Sequence, residues 1–518
     1  MLNKYTKGGS VMSGKLSLSR VYSGFLRGTE CVISELEVSV TPGIPTFSVI
    51  GLCDSSIRES HGRLISALGS AGFRMPKGHV TISISPAYMK KSGSGFDLAM
   101  ALGILSASGQ IKFPPEKKIY AEGELSLDGS VKGTPGAALR LNKARVEGFA
   151  QYIIPEEERE SALCTGFVGQ CVRSLGEACS VYGYSGYRPE CFRLEGFDEI
   201  PANRVDISML KGQEKTKRAI ILSAAGFHNM LLLGSPGSGK TMAADIITGI
   251  LPPLDVDETG EVYALYEALG GPSTRISVQR PVRRISPDIT PGKLLGNTVS
   301  MTPGEMALAN HGVLFADEIM EFPSQVLDLM RKPLEDREVR LFRNGVTCTY
   351  SAKLLFIGAG NPCKCGLYYE PGSRCRCSAG VRKRYMSRLS GPFLERIDIF
   401  SEMRTIGKAD MALMYAEGAA SESTAVRDKI ADCWAMQRER YGEKTYNSCF
   451  VSSNPADVMR ISKDVLTYCS ELASKGLFSA RGYQKTLRLA RTIADYEGRK
   501  DVTRSDVSEA AVFRAHEL

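Results

Sequence analysis

Asn229-Met230-Leu231-Leu232-Leu233-Gly234-Ser235-Pro236-Gly237-Ser238-Gly239-Lys240-Thr241-Met242-Ala243-Ala244-Asp245-Ile246-Ile247 reads as an apolar strand, a glycine-rich loop and the start of a helix. Residues 234–241 fit the phosphate-loop pattern G-x-x-x-x-G-K-[ST]. The chemistry requires this order. Glycines let backbone N–H groups close around phosphate oxygens, and the following helix turns its positive end toward the same anion. Gly234, Ser235, Pro236, Gly237, Ser238 and Gly239 are therefore expected to cradle ATP. Lys240 is expected to reach the β- and γ-phosphates, and Thr241 to hold Mg²⁺.

Working outward, Gly312-Val313-Leu314-Phe315-Ala316-Asp317-Glu318 is an apolar strand ending in two carboxylates. Downstream of a phosphate loop, that pattern predicts an Mg²⁺-binding Asp317 and a Glu318 that polarises the attacking water. Ala352 to Asn361 reads as a further buried strand ending in a polar residue. Asn361 is expected to orient the water or sense the γ-phosphate.

The rest of the chain sorts by pattern. Residues 12–180 alternate strand and helix signals, with strands at Cys31–Val40, Thr46–Gly51 and Val80–Ser85 and helical spacing at Ser56–Ala71 and Asp97–Ser108. Residues 181–205, rich in Gly, Pro and aromatics, suggest a linker. Residues 206–405 carry the nucleotide motifs and predict a parallel-stranded α/β core, with a cysteine-rich insert at 361–380. Residues 410–518 turn helical, with amphipathic runs at Asp457–Lys475, Gly482–Glu497 and Arg504–Ala515. The chain thus predicts a multidomain α/β protein with an all-α C-terminal region.

Composition sets the frame. Hydrophobic residues make up 43% and charged residues 24% of the 518, as in globular proteins, and no run approaches the ~18 apolar residues of a membrane span. Lys and Arg (65) exceed Asp and Glu (57), a net charge of +8 that suits a polyanionic partner without requiring one. The first ten residues lack an apolar signal core, and Met12 is a candidate start. Fourteen cysteines then read as reduced cytoplasmic thiols with room for one metal site. Cys363-Lys364-Cys365 and Cys375-Arg376-Cys377 form two C-x-C pairs, with Gly366, Pro371 and Gly372 available for a hairpin between them. The alternatives are a tetrahedral, structural Zn²⁺ site and four free thiols.

Two basic stretches stand out: Arg280, Arg283, Arg284 and Lys293; and Arg382-Lys383-Arg384-Tyr385-Met386-Ser387-Arg388. Each is open to two readings, a phosphate-backbone contact, with Tyr385 stacking on a base, or an ordinary solvated face.

With these motifs in place, the chain resembles the YifB/ComM family of magnesium-chelatase-like AAA+ ATPases. The resemblance runs through Gly93-Ser94-Gly95-Phe96-Asp97-Leu98, Gly123-Glu124-Leu125-Ser126-Leu127-Asp128-Gly129, the phosphate loop, Pro303-Gly304-Glu305, Asn361-Pro362-Cys363 and Arg396-Ile397-Asp398, in order. It implies a Lon-protease-like (S5-like) N-terminal domain, a P-loop AAA+ core, a helical lid and a ring of subunits, commonly a hexamer. It implies Arg396 as a finger reaching a neighbouring subunit's γ-phosphate and Arg481 as a lid arginine touching nucleotide in cis. It further implies DNA as partner, in branch migration or helicase work during recombination or transformation, and a similar cysteine cluster. The N-terminal part lacks Lon-type peptidase residues. Ser94 is displaced from the nucleophile position, and Ala137-Ala138-Leu139 falls where the activating lysine would stand, with Lys132 and Lys143 on other registers. The competing classes are a metal-chelatase motor subunit and an ATP-dependent protein scaffold.

Overall fold

The computed structural model describes residues 17–27, 30–91, 93–112, 118–149, 151–166, 168–183, 190–192, 205–270, 276–343, 346–370, 375–405, 422–442, 445–452, 454–476 and 479–514. Met12, most of the 181–205 stretch, and Pro371 and Gly372 lie outside them. The chain forms two compact units, Met1–Gly196 with Thr259–Ser277, and Phe197–Glu258 with Val278–Leu518.

The first unit is built on a mixed eight-stranded sheet. Ser17–Arg27 pairs antiparallel with Glu30–Thr41, which pairs with His79–Ile84; Thr46–Ile50 closes that edge in parallel. On the other side Ile119–Ala121, Gln151–Pro155 and Val168–Val172 add parallel strands. Alternation along Glu30–Thr41 buries Ser34, Leu36 and Val38 on one face, as expected of a half-buried strand, and Cys31 is buried on the other. The helices Ser55–Ser70 and Asp97–Ala107 fall where their spacing predicted, the first capped by Asp54, which accepts from the Ile57 N–H at 3.2 Å. The second is buried on nearly all sides, because it fills the core against Val21 and Val38. In this unit Arg140 lies between two buried carboxylates, 2.6 Å from Glu122 and 3.7 Å from Glu158.

The second unit carries a five-stranded, all-parallel sheet in the order Val282–Ile285, Val313–Ala316, Leu355–Gly360, Met230–Gly234, Ile399–Met403. The first strand in sequence thus sits between the fourth and fifth. Helices Glu214–Gly226 and Lys240–Ile250 pack on it, and the C-terminal helices share the same apolar core. Trp434 and Gln437, on helix Ser423–Tyr441, donate to the carbonyls of Ala224 and Ala225 at 3.1 and 2.8 Å. The expected run Asp457–Lys475 is divided into Pro455–Val458 and Lys463–Ser474. Arg460 takes a left-handed φ of 52°, Ile461 bridges to Val502, and Ser462 caps the new helix from outside. Helices Ala480–Tyr496 and Arg504–Arg514 match their predicted runs. Between the acidic strand and Leu355–Gly360 in sequence, Glu338–Arg343 and Val346–Ser351 pair as a separate two-stranded antiparallel ribbon. Among the described residues, no helix is long and apolar enough to cross a membrane.

Candidate functional site

The strand Met230–Gly234 is buried along its whole length and is flanked on both sides, with Leu233 opposite Gly360 and Gly234 opposite Met403. Its loop therefore leaves at the carboxyl end of the sheet, where the chain order switches direction, the ligand crevice of open parallel sheets. Gly237 and Gly239 adopt φ of 76° and 91°, a conformation that side chains resist, and the helix begins at Lys240.

Lys240 Nζ donates to Gly234 O at 2.8 Å, Ser235 O at 2.9 Å and Asn361 Oδ1 at 3.2 Å. Partial burial pulls its ammonium below the ordinary lysine value, opposed by Asp317 and Glu318. Thr241 Oγ1 lies 3.5 Å from Asp317 Oδ2, and the other Asp317 oxygen accepts from the Glu318 N–H at 2.9 Å. Glu318 itself is exposed, at φ 51°. Three neighbouring strands thus bring Lys240, Thr241, Asp317, Glu318 and Asn361 to one end of the sheet. A hydroxyl and a carboxylate side by side are hard oxygen donors that fit Mg²⁺, and the lysine's ammonium, held here by three carbonyl oxygens, is a cation suited to phosphate oxygens.

Arg396 and Arg481 stand together elsewhere on this unit. Arg396 donates to Pro392 O at 2.9 Å and pairs with Glu335 and Glu395; Arg481 donates to Glu395 at 2.6 Å and is exposed. Glu395 thus links the two arginines.

The cysteine pairs converge. Sγ of Cys363 is 3.3 Å from Cys365 and 3.7 Å from Cys375, Cys365 is 3.5 Å from Cys375, and all four sulfurs, Cys377 included, lie within 4.8 Å of one another. Four thiolates at 2.3 Å from one ion stand about 3.8 Å apart, so the set fits tetrahedral Zn²⁺.

The basic stretches part company. Arg280 is buried, donating to Pro252 O, Pro253 O, His311 O and Glu258 and lying over the Trp434 ring, so it is no surface contact. Arg283 pairs with Glu305 and Arg284 with Asp245; of that stretch, Arg284 and Lys293 are exposed. In the second stretch Tyr385 donates to Glu321 at 3.2 Å and Arg388 to Glu321 at 2.8 Å, while Lys383 and Arg384 are exposed. Sequence reading missed Phe342. It stands 67% exposed on the ribbon's outward face beside Arg340 and near exposed Arg343, while Val339, Leu341, Cys348 and Tyr350 pack inward. The signal was present in Asn344-Gly345 between two alternating runs, the usual mark of a tight hairpin. In the first unit, Ser94 bonds to Glu124, and Lys132 and Lys143 pair with Glu157 and Glu147.

Comparison with known proteins follows the same outline. Residues 206–411 match the family described as magnesium chelatase, subunit ChlI; residues 36–158 match subunit ChlI of Mg-chelatase; residues 420–514 match its C-terminal region. YifB of Escherichia coli is 31% identical over 96% of this chain and 97% of its own. The competence protein ComM of Haemophilus influenzae is 32% identical over 96% of this chain and 98% of its own. The chain belongs to the YifB/ComM family of magnesium-chelatase-like AAA+ proteins. More distantly, the magnesium-chelatase subunit ChlI of Cyanophora paradoxa is 23% identical over 57% of this chain and 85% of its own.

Proposed function

We propose that this YifB/ComM member is an ATP-hydrolysing, ring-forming motor that processes DNA, of the branch-migration or helicase type. The convergence of Lys240, Thr241, Asp317 and Asn361 at the sheet's carboxyl end carries the nucleotide part. Gly234, Ser235, Pro236, Gly237, Ser238 and Gly239 wrap the phosphates, Lys240 contacts the terminal ones, and Thr241 with Asp317 holds Mg²⁺. That ion, when bound, supplies charge neutralisation on the phosphate oxygens. Exposed Glu318 polarises the water and Asn361 orients it. Arg396 leaves Glu335 and Glu395 to reach a neighbouring subunit's nucleotide, and Arg481 reports the nucleotide to the helical region. A cation supplied in trans makes hydrolysis depend on assembly. The four cysteines hold a structural Zn²⁺. Residues 12–180 form a non-proteolytic Lon-like domain used in assembly or docking. The protein works in the cytoplasm.

The DNA part is supported by the relative named for competence and by the exposed Phe342, Arg340, Arg343, Lys383 and Arg384. The second reading, a metal-chelatase motor subunit, draws on the match to the chelatase subunit ChlI. ATP hydrolysis measured with single-stranded DNA, duplex and a four-way junction separates them. The DNA reading expects stimulation by at least one of the three. Glu318→Gln should retain nucleotide while turnover falls about 10²–10⁴-fold. An ATPase indifferent to every DNA form would defeat the DNA reading, and a chain that binds no nucleotide would defeat the motor.

A further inference from the structure

The segments that carry the cysteine cluster border three parts of the proposed nucleotide site. Its first thiol, buried Cys363, follows Asn361 by two residues, and Asn361 accepts from Lys240 at 3.2 Å. The loop then turns at Gly366, whose N–H donates back to Cys363 O at 2.9 Å and whose φ is 78°. Gly366 lies flat against the phosphate loop: a Cβ there would stand 2.6 Å from Pro236 Cδ and 3.0 Å from its Cγ. A few residues on, Glu370 accepts from the Thr405 N–H at 3.1 Å, just past the strand that borders the phosphate-loop strand. The second thiol pair leads into helix Ala379–Met386. Arg382 on that helix donates to Cys377 O at 2.7 Å and lies over Tyr368 at 4.4 Å. Beyond it, Arg388 grips Met320 O and Glu321, both at 2.8 Å, in the short turn that starts directly after Glu318.

We propose that the four-thiolate site is a metal-dependent brace for the nucleotide site, with Gly366 as the positioning residue that seats Pro236. This rests on the ATPase reading above and adds a dependence which that reading does not require. With the four sulfurs joined through one Zn²⁺, the Asn361 end, the Gly366 turn and the Arg388 helix are held in one arrangement. Without it, only hydrogen bonds and packing oppose their separation. The alternative, a cluster that stabilises its own loop and nothing more, leaves nucleotide affinity untouched.

The test uses the full-length chain. Zinc per chain is measured by elemental analysis, and binding of a fluorescent ATP analogue is titrated before metal removal, after removal with a chelator, and after Zn²⁺ is returned. The brace expects about one zinc per chain, at least tenfold weaker nucleotide binding after removal, and recovery on return. Cys365→Ser, at the exposed ligand, should reproduce the loss while circular dichroism keeps the wild-type helix content. Gly366→Ala should weaken nucleotide binding at least tenfold with zinc content unchanged, which tests the seating of Pro236 apart from the metal; the chelation series tests the metal itself. Nucleotide binding that stays within twofold after complete zinc removal, or in Gly366→Ala, overturns the brace while leaving the ATPase reading intact. A zinc-loaded chain with no nucleotide binding at all sinks the ATPase reading and the brace with it.

Discussion

Arg280 and Arg343 belong to the same unit and carry the same charge, yet one is a strut and the other faces solvent. Arg280 gives its guanidinium to three backbone carbonyls and Glu258, under the indole of Trp434. Arg343 sits at the ribbon's end with one backbone partner, Val299 O, beside the exposed ring of Phe342. Sequence places both in short basic or alternating runs. The difference lies in what surrounds them. Pro252, Pro253, Glu258 and His311 converge on a point that only a buried fork of donors can satisfy, whereas Arg343, at the last position of its strand, meets Val299 O and stays exposed. Charge counted along the chain is therefore not charge presented to a partner.

The largest effect should come from breaking the strut. Arg280→Ala leaves Glu258 buried beside His311 without its main counter-ion. That loss should cost about 3–5 kcal/mol, a fall of roughly 10 °C in Tm by scanning fluorimetry. An unchanged Tm together with weakened DNA binding would reverse the comparison and return Arg280 to the surface. Phe342→Ala should do the opposite. DNA affinity, by fluorescence anisotropy with a single-stranded oligonucleotide, should fall roughly 5- to 100-fold, the worth of about one stacked base, with Tm unmoved. A Phe342→Ala chain that binds DNA as well as the wild type would make the ribbon's exposed ring irrelevant to the proposed partner.

Much of the second unit was legible because its chemistry is local. The phosphate loop, the Asp317-Glu318 pair and Asn361 each end a short apolar run, and parallel strands buried on both faces show as such runs. The fate of Arg280 was not legible, since its partners come from three separate segments. Nor was the split at Arg460, where a residue other than glycine takes a left-handed φ inside an amphipathic pattern that otherwise continues. The ribbon was missed for a different reason. Its alternation is readable, but which of its two faces stays open, with Phe342 exposed and Val339 and Leu341 buried, depends on what packs against it from elsewhere in the chain. In the first unit the strands and the helix Asp97–Ala107 were visible from their periods. Arg140 and its two carboxyl groups were not, because burial of three ionisable groups depends on contacts between Ile119–Ala121, Ala137–Val146 and the turn at Glu156–Glu158.

The smallest effect separates the two arginines by pH. Burial by itself would raise the carboxyl of Glu258; His311 and Arg280 outweigh it and hold the group well below its usual 4.5. A carboxylate depressed in the native state binds fewer protons there than in the unfolded chain. Its contribution is complete above about pH 4.5 and drains away below it, at up to about 1.4 kcal/mol per pH unit. Arg280→Ala removes one of the two partners that depress the group. The Tm gap between wild type and Arg280→Ala should therefore narrow as buffer pH falls from 6 to 4. Arg343→Ala, with no buried carboxylate beside it among the described residues, should track the wild type across the same range. Parallel curves for all three proteins would mean that Glu258 titrates alike with and without its guanidinium, and the inward arginine would lose its claim to a role that the outward one lacks.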